Sequence, residues 1–377
     1  MKYIAKTLYG LENVLAGELN TLGASDITDL NRAVSFSGDK GILYKANYCL
    51  RTALSVLMII AEFRIRAARD IYKNGLKIEW NNFLDPETTF SIVPVINSPL
   101  FTHSGYAGLV LKDAIADWFR NKTARRPSVD SKDPGIVFNL HISNELVTIS
   151  IDSSVIPLYK RGYRKEQGAA PLNEVLAAGI ISLSGWNKTS LLLDPMCGSG
   201  TIPIEAAIFA LGIPPGRYRQ FFGFQRWKDY DKDLFERIRM ESESNVVAPG
   251  VKILGSDISE KAVTQAQANI GLAGLSNLIS VSRQDFRELK PPEDNGFILM
   301  NPPYGQRIKT PEIEDFYGMI GSALKHSFPG YEALIITSDR EALKHVGLKP
   351  SEKRILFNGS LECLLVKYKM YPGSKKK

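Results

Sequence analysis

Cysteine and histidine are scarce in this chain of 377 residues, with three of the first and four of the second. Cys49, Cys197 and Cys363 lie far apart and form no Cys-x-x-Cys pair, which argues against a disulfide framework or a thiolate zinc site. The histidines, at positions 103, 141, 326 and 345, show no metal-ligand spacing, so no metal is expected. No uninterrupted apolar run reaches the roughly 18 residues that a membrane-spanning helix needs. The opening MKYIAKTLYGLENVLAGEL lacks the compact apolar stretch and small-residue cleavage site of a signal peptide. Missing too are a Gly-Lys-Ser/Thr phosphate loop, a dinucleotide Gly-x-Gly-x-x-Gly and any internal repeat. The simplest expectation is a cytoplasmic protein with no membrane partner.

The composition is that of an ordinary globular protein, 44% hydrophobic and 23% charged, long enough for two or three domains. A formal net charge of +7 suits a nucleic-acid partner without requiring one, and the excess is spread over both halves rather than held in one tail.

From about Asp194 onward short apolar runs alternate with helical patterns. SLLLD, VKILGSD, LISVSRQD, FILMN and YEALIITSD each end in a polar or acidic residue. Between them lie TIPIEAAIFA, SEKAVTQAQANIGLAG and PEIEDFYGMIGSALKHSF. This alternation predicts an α/β, Rossmann-like domain: a parallel sheet with helices on both faces and ligands at the carboxyl ends of the strands. Two apolar runs around Asn358-Gly359-Ser360 predict a closing antiparallel hairpin, and APLNEVLAAGIISLSGW a helix before the first strand. The first half reads as a smaller α+β module. There FSGDKGILYKANYCLRTALSVLMIIAEF suggests a strand edge and a long helix, YAGLVLKDAIADWFRNK another helix, and HISNELVTIS a hairpin. The boundary is placed in IPLYKRGYRKEQGAAP.

LLLDPMCGSGTIPIEAA combines a strand, an acid, a glycine-containing turn and a helix. Glycine lets the backbone come close to a ligand at the helix N-terminus. Asp257, closing the next strand, is placed to accept from two ribose hydroxyls. Asp285, closing the third, could accept from an adenine amine while Phe286 packs on the ring. An adenosine ligand without a phosphate clamp suggests S-adenosylmethionine (SAM).

In FILMNPPYGQRI the apolar run stops at Asn301, which is followed by two prolines and Tyr304. The Asn301 amide carbonyl and a neighbouring main-chain carbonyl can accept both hydrogens of an exocyclic amine and aim its lone pair at an electrophilic methyl. Pro302 supplies a carbonyl on a stiff backbone, and Tyr304 can stack on an extruded base. Two basic stretches could meet a phosphate backbone: Arg120, Lys122, Arg125 and Arg126, and Lys160, Arg161, Arg164 and Lys165 interleaved with tyrosines.

With DPMCGSG, GSDIS, RQDF and NPPYGQR in that order, the sequence resembles the class I methyltransferases that modify amino groups. LYKRGYRKEQGAAPLNEVLAAGII, FFGFQRWKDYD and the N-terminal pattern narrow the resemblance. They are similar to the THUMP-containing bacterial family of 23S (large-subunit) rRNA guanine-N2 methyltransferases, often labelled adenine-specific DNA methylases. The resemblance implies a ferredoxin-like segment at 1–50, an RNA-binding THUMP domain at 51–155 and a SAM-dependent domain at 156–377. It implies that Asp194, Pro195, Cys197, Gly198, Gly200 and Thr201 form the cofactor loop, with Asp257, Asp285 and Phe286 on the nucleoside. Asn301, Pro302 and Tyr304 would then form the acceptor site. Fused relatives carry a second methyltransferase, so one activity is expected here. Guanine in tRNA, adenine in DNA, a glutamine amide and a non-catalytic RNA-binding role stay open.

Overall fold

The computed structural model describes residues 1–101, 103–164, 172–247, 250–303 and 310–371. Among these residues the strands form two seven-stranded sheets. The first contains β1 (Lys2–Lys6), β2 (Ser25–Leu30), β3 (Ala33–Ser37), β4 (Ser55–Arg64), β5 (Phe90–Asn97), β6 (Ile136–Ser143) and β7 (Leu146–Asp152), in the order β2-β3-β1-β4-β7-β6-β5. Its helices are α1 (Glu12–Thr21), α2 (Lys40–Cys49), α3 (Arg69–Gly75) and α4 (Ser104–Thr123). β4 pairs with β1 on one side and β7 on the other, so a single sheet runs through the whole N-terminal half. Pro94 sits in β5, the edge strand of this sheet, paired with β6, where a missing N–H is tolerated. The β6–β7 hairpin turns at Asn144, whose φ of 53° is a conformation asparagine accepts more readily than most residues.

One sequence expectation fails here. The long helix stops at Cys49, because Leu50 takes an extended conformation, and SVLMIIAEFR becomes β4. Val56, Ile59 and Ile60 are β-branched and suit a strand bonded on both sides, which tertiary pairing decides and helical periodicity does not.

The second sheet contains β8 (Leu192–Asp194), β9 (Ile253–Asp257), β10 (Ile279–Arg283), β11 (Phe297–Met300), β12 (Glu332–Thr337), β13 (Glu352–Asn358) and β14 (Leu361–Lys369), ordered β10-β9-β8-β11-β12-β14-β13. The first five strands are parallel, and β14 enters antiparallel from the hairpin at Gly359. Helices α5 (Glu174–Ser184), α6 (Thr201–Leu211) and α8 (Glu260–Leu272) cover one face, and α9 (Thr310–Ser327) the other. Alternation along β8 sends Leu192 into the first core and Leu193 into the second, which is why both faces of this strand read as apolar.

Between α6 and β9 an insertion carrying α7 (Lys232–Ser244) crosses to the N-terminal half. Phe222, Phe224 and Phe235 join the core of α2, and Phe224 stacks on Tyr44 at 4.4 Å between ring centres. Arg226 pairs with Asp133 at 2.6 Å, and Lys228 with Asp85 at 2.8 Å. An insertion in one domain thereby fastens the other.

Candidate active site

β8 delivers Asp194 to the carboxyl edge of the second sheet, and the chain folds back through residues 195–200 into α6. Gly198 and Gly200 take φ of 53° and 83°, which a side chain at either position would strain. The loop is held from the neighbouring strand: the Cys197 N–H donates to the Ser256 carbonyl at 2.9 Å, and the Gly198 N–H to Asp257 Oδ2 at 3.0 Å. Asp257 Oδ1 accepts the Ser259 N–H at 2.9 Å, so each carboxylate oxygen is fixed by one backbone donor and keeps a lone pair for a ligand. Asp194 is 1% exposed, with the Met196 N–H at 3.2 Å. Burial pushes its carboxyl well above the usual range, and Asp257 adds to the effect. Burial likewise pushes the Cys197 thiol up, as expected for a cysteine packed into the wall rather than an activated one.

A cavity of about 730 Å³ opens over this loop, of a size that suits a nucleoside-bearing ligand. It brings together Asp194, Pro195, Cys197, Gly198, Thr201, Asp257, Asp285, Phe286 and Asn301. Two expected residues stand behind the wall: Gly200 packs toward Ala266 of α8, and Pro302 is buried, with Pro303 taking its place in the lining. Tyr304 and Lys165 lie outside the described residues.

Asp285 departs from its expected place, since β10 stops at Arg283. The carboxylate instead caps a short turn, accepting the Arg287 N–H at 2.9 Å, and both oxygens meet the Arg287 guanidinium. That guanidinium holds the carboxyl below its usual range. Phe286 lines the cavity and also stacks on Phe328 at 5.7 Å, so the core fixes its ring. Sequence reading missed Arg287 and one face of α9, where Glu312, Asp315, Phe316 and Met319 also line the cavity. Their i, i+3, i+4, i+7 spacing is visible in the sequence, but which helical face turns to a cavity is set by packing.

Asn301 follows β11. Its Oδ1 is buried and has no hydrogen-bond partner among the described residues. An orphaned acceptor costs about 1–3 kcal/mol and is uncommon outside functional sites. These residues fit SAM: Asp257 keeps a lone pair on each oxygen for ribose hydroxyls, and the backbone loop at Gly198 comes close to the cavity. Among the described residues no group of three or more His, Cys, Asp or Glu could hold a metal ion, and no helix is long and apolar enough to cross a membrane.

The basic residues divide. Arg120, Lys122, Arg125, Arg126 and Lys160 are exposed, although Arg120 pairs with Asp117, Lys122 with Glu79 and Arg125 with Glu87. Arg161 and Arg164 do not reach the surface, contrary to expectation. Arg161 is 2% exposed and donates to the carbonyls of Leu158 and Arg51 and to Glu205 of α6, which also accepts the Tyr163 hydroxyl at 2.8 Å. Arg164 is taken up by Glu174 and Thr201. A basic, tyrosine-rich run at a domain junction resembles a surface patch in sequence, yet here it supplies counter-charges for buried acids.

Comparison with known proteins shows the family. Residues 161–367 match the family described as RMKL-like, methyltransferase domain; residues 2–57 match the RlmL ferredoxin-like domain, and 66–152 the THUMP domain. A putative RNA methyltransferase of Synechocystis sp. is 36% identical over 374 residues, covering 98% of this chain and 97% of that protein. The ribosomal RNA large subunit methyltransferase K/L of Photobacterium profundum is 35% identical over 383 residues, which is all of this chain but 54% of the relative. The chain thus spans about half the length of the K/L proteins. A crystal structure of a putative methyltransferase complexed with SAH superposes with a TM-score of 0.89 at 27% identity, covering 99% of each chain.

Proposed function

Because the chain belongs to the RMKL-like methyltransferase family and uses SAM as its cofactor, we propose that it methylates the exocyclic N2 of a guanine in 23S rRNA. The observation that carries the chemistry is the orphaned Asn301 Oδ1 in the wall of the cofactor cavity. An amine conjugated to a purine ring is a poor nucleophile, and the cofactor supplies an already activated methyl group on a sulfonium. The chain therefore has to orient the amine. Asn301 Oδ1 accepts one N–H and a main-chain carbonyl at Pro302 the other, directing the nitrogen lone pair into the cavity, while Tyr304 stacks on the extruded base. Asp257 holds the ribose and Asp285 the adenine of the cofactor.

The THUMP match and the K/L relatives support RNA as the partner, with docking on the N-terminal half. We divide the chain into a ferredoxin-like segment (1–50), a THUMP domain (51–155) and the catalytic domain (156–377). The exposed residues Arg120, Lys122, Arg125, Arg126 and Lys160 are retained as phosphate contacts. A cytosolic setting follows from a ribosomal substrate.

The test is methyl transfer from labelled SAM to 23S rRNA, tRNA and duplex DNA in parallel, followed by nucleoside analysis. N2-methylguanine in 23S rRNA is expected. Label in tRNA alone, or N6-methyladenine in DNA, would keep the chemistry and overturn the substrate. Asn301→Ala is expected to lower transfer by about 100-fold or more while SAH affinity stays within about threefold. Full activity in that variant would sink the amine-orienting role.

A further inference from the structure

Arg164 is neither on the surface nor in the cavity wall. Its side chain is 6% exposed and reaches three groups. One nitrogen lies 3.5 Å from Glu174 Oε1 on the first residue of α5, a side chain 7% exposed. Another donates to the Thr201 hydroxyl and, at 3.4 Å, to the Leu172 carbonyl. Its Nε has no partner among the described residues. Thr201 and Leu172 both line the cofactor cavity, so one buried cation braces two points of the wall.

Thr201 opens α6, an 11-residue helix whose N-cap, Gly200, has no side chain to satisfy the first N–H groups. Such a terminus carries partial positive charge and attracts anions. Arg164 stands behind the same turn. Among the described residues its one acid, Glu174, is at a long distance, and burial pushes that carboxyl up despite the arginine. A buried guanidinium with one long ion pair and an unmatched N–H is costly for the fold alone. Among the described residues the other charges around the cavity are the carboxylates of Asp257, Asp285, Glu312 and Asp315, with Arg287 paired to Asp285, while burial holds Asp194 toward its protonated form. SAM has one anionic group, the α-carboxylate of its methionine part. Among the described residues the charge distribution favours that group at the α6 end of the cavity.

We propose that Arg164 is a positioning residue for the cofactor: held by Glu174, it fixes Thr201 and the first turn of α6 to receive the α-carboxylate. The inference rests on the cofactor and not on the guanine reading, so it can fail or hold without RNA.

The experiment measures, by calorimetry on the full chain, the affinity for SAH and for 5′-methylthioadenosine, which has the nucleoside but no amino-acid carboxylate. Arg164→Met is expected to weaken SAH by about 10- to 100-fold and 5′-methylthioadenosine by less than about threefold. Arg164→Lys is expected to bind SAH more tightly than Arg164→Met, and equal values would overturn the charge argument. If Arg164→Met does not fold, Thr201→Val carries the same test with a smaller selective loss, about three- to tenfold. Equal losses for both ligands would make the arginine a general support of the pocket, and no loss for either would remove it from the site. Both results overturn the proposal.

Discussion

Asp194 pays for its position in the ligand-free protein: a buried carboxyl with one backbone donor and a second acid nearby is better protonated than charged. Because its folded-state pKa lies above that of the unfolded chain, its contribution to stability is full at low pH and is lost as pH rises through the raised value. Asp194→Asn keeps an acceptor for the Met196 N–H and removes the titration. It is expected to stabilise the ligand-free protein by roughly 1–2 kcal/mol near pH 8, with a smaller gain near pH 4, while weakening SAH binding. Thermal melts of both proteins across that range check it; a gain that is flat or grows toward acid would assign the strain elsewhere. Asn301 is similar: its Oδ1 has no partner among the described residues, a cost to the fold that the proposed amine substrate would offset.

At the scale of elements, α9 forms one wall of the cavity and is itself seated by a close approach. A Cβ at Gly321 would overlap the Val346 carbonyl of the turn at 342–346, a backbone atom that cannot swing aside. Gly321→Ala is expected to cost about 1–3 kcal/mol in urea unfolding and to reduce SAH affinity by moving that wall. Gly105→Ala in α4, where nothing lies within 4 Å, should be neutral or slightly stabilising. Sequence reading works well for the second sheet, because β8, β9 and β11 are apolar runs that end in the acids or amide they present. It works less well where local and tertiary preferences compete. β4 has enough apolar residues for either period, and pairing on two sides decides for the strand. Arg161 and Arg164 misread as RNA contacts because their partners, Glu205 and Glu174, come from helices that only folding brings beside them. Arg287 was invisible as a cavity residue because its claim on Asp285 depends on a turn two residues past the strand.

Over the whole molecule, the insertion between α6 and β9 places aromatic side chains of the catalytic half in the core of the other half. Phe224 is fully buried against Tyr44 and Phe222. Phe224→Ala is expected to destabilise by about 3–5 kcal/mol. It should also split a single unfolding transition into two, read by urea titration with separate probes in each half. One unchanged transition would mean that the other contacts between the halves, Leu8 and Leu11 in the core of α5 and α6 and Arg161 on the Arg51 carbonyl among them, suffice for coupling. This fastening also turns the protein into a ruler. With the N-terminal half and the cavity at a set offset, the proposed RNA substrate would be modified at a nucleotide chosen by its distance from the docked feature as well as by its identity. Lengthening the RNA stem between the two by one base pair should therefore silence the original target even though every contacted base is kept, and a hinged enzyme would tolerate the change.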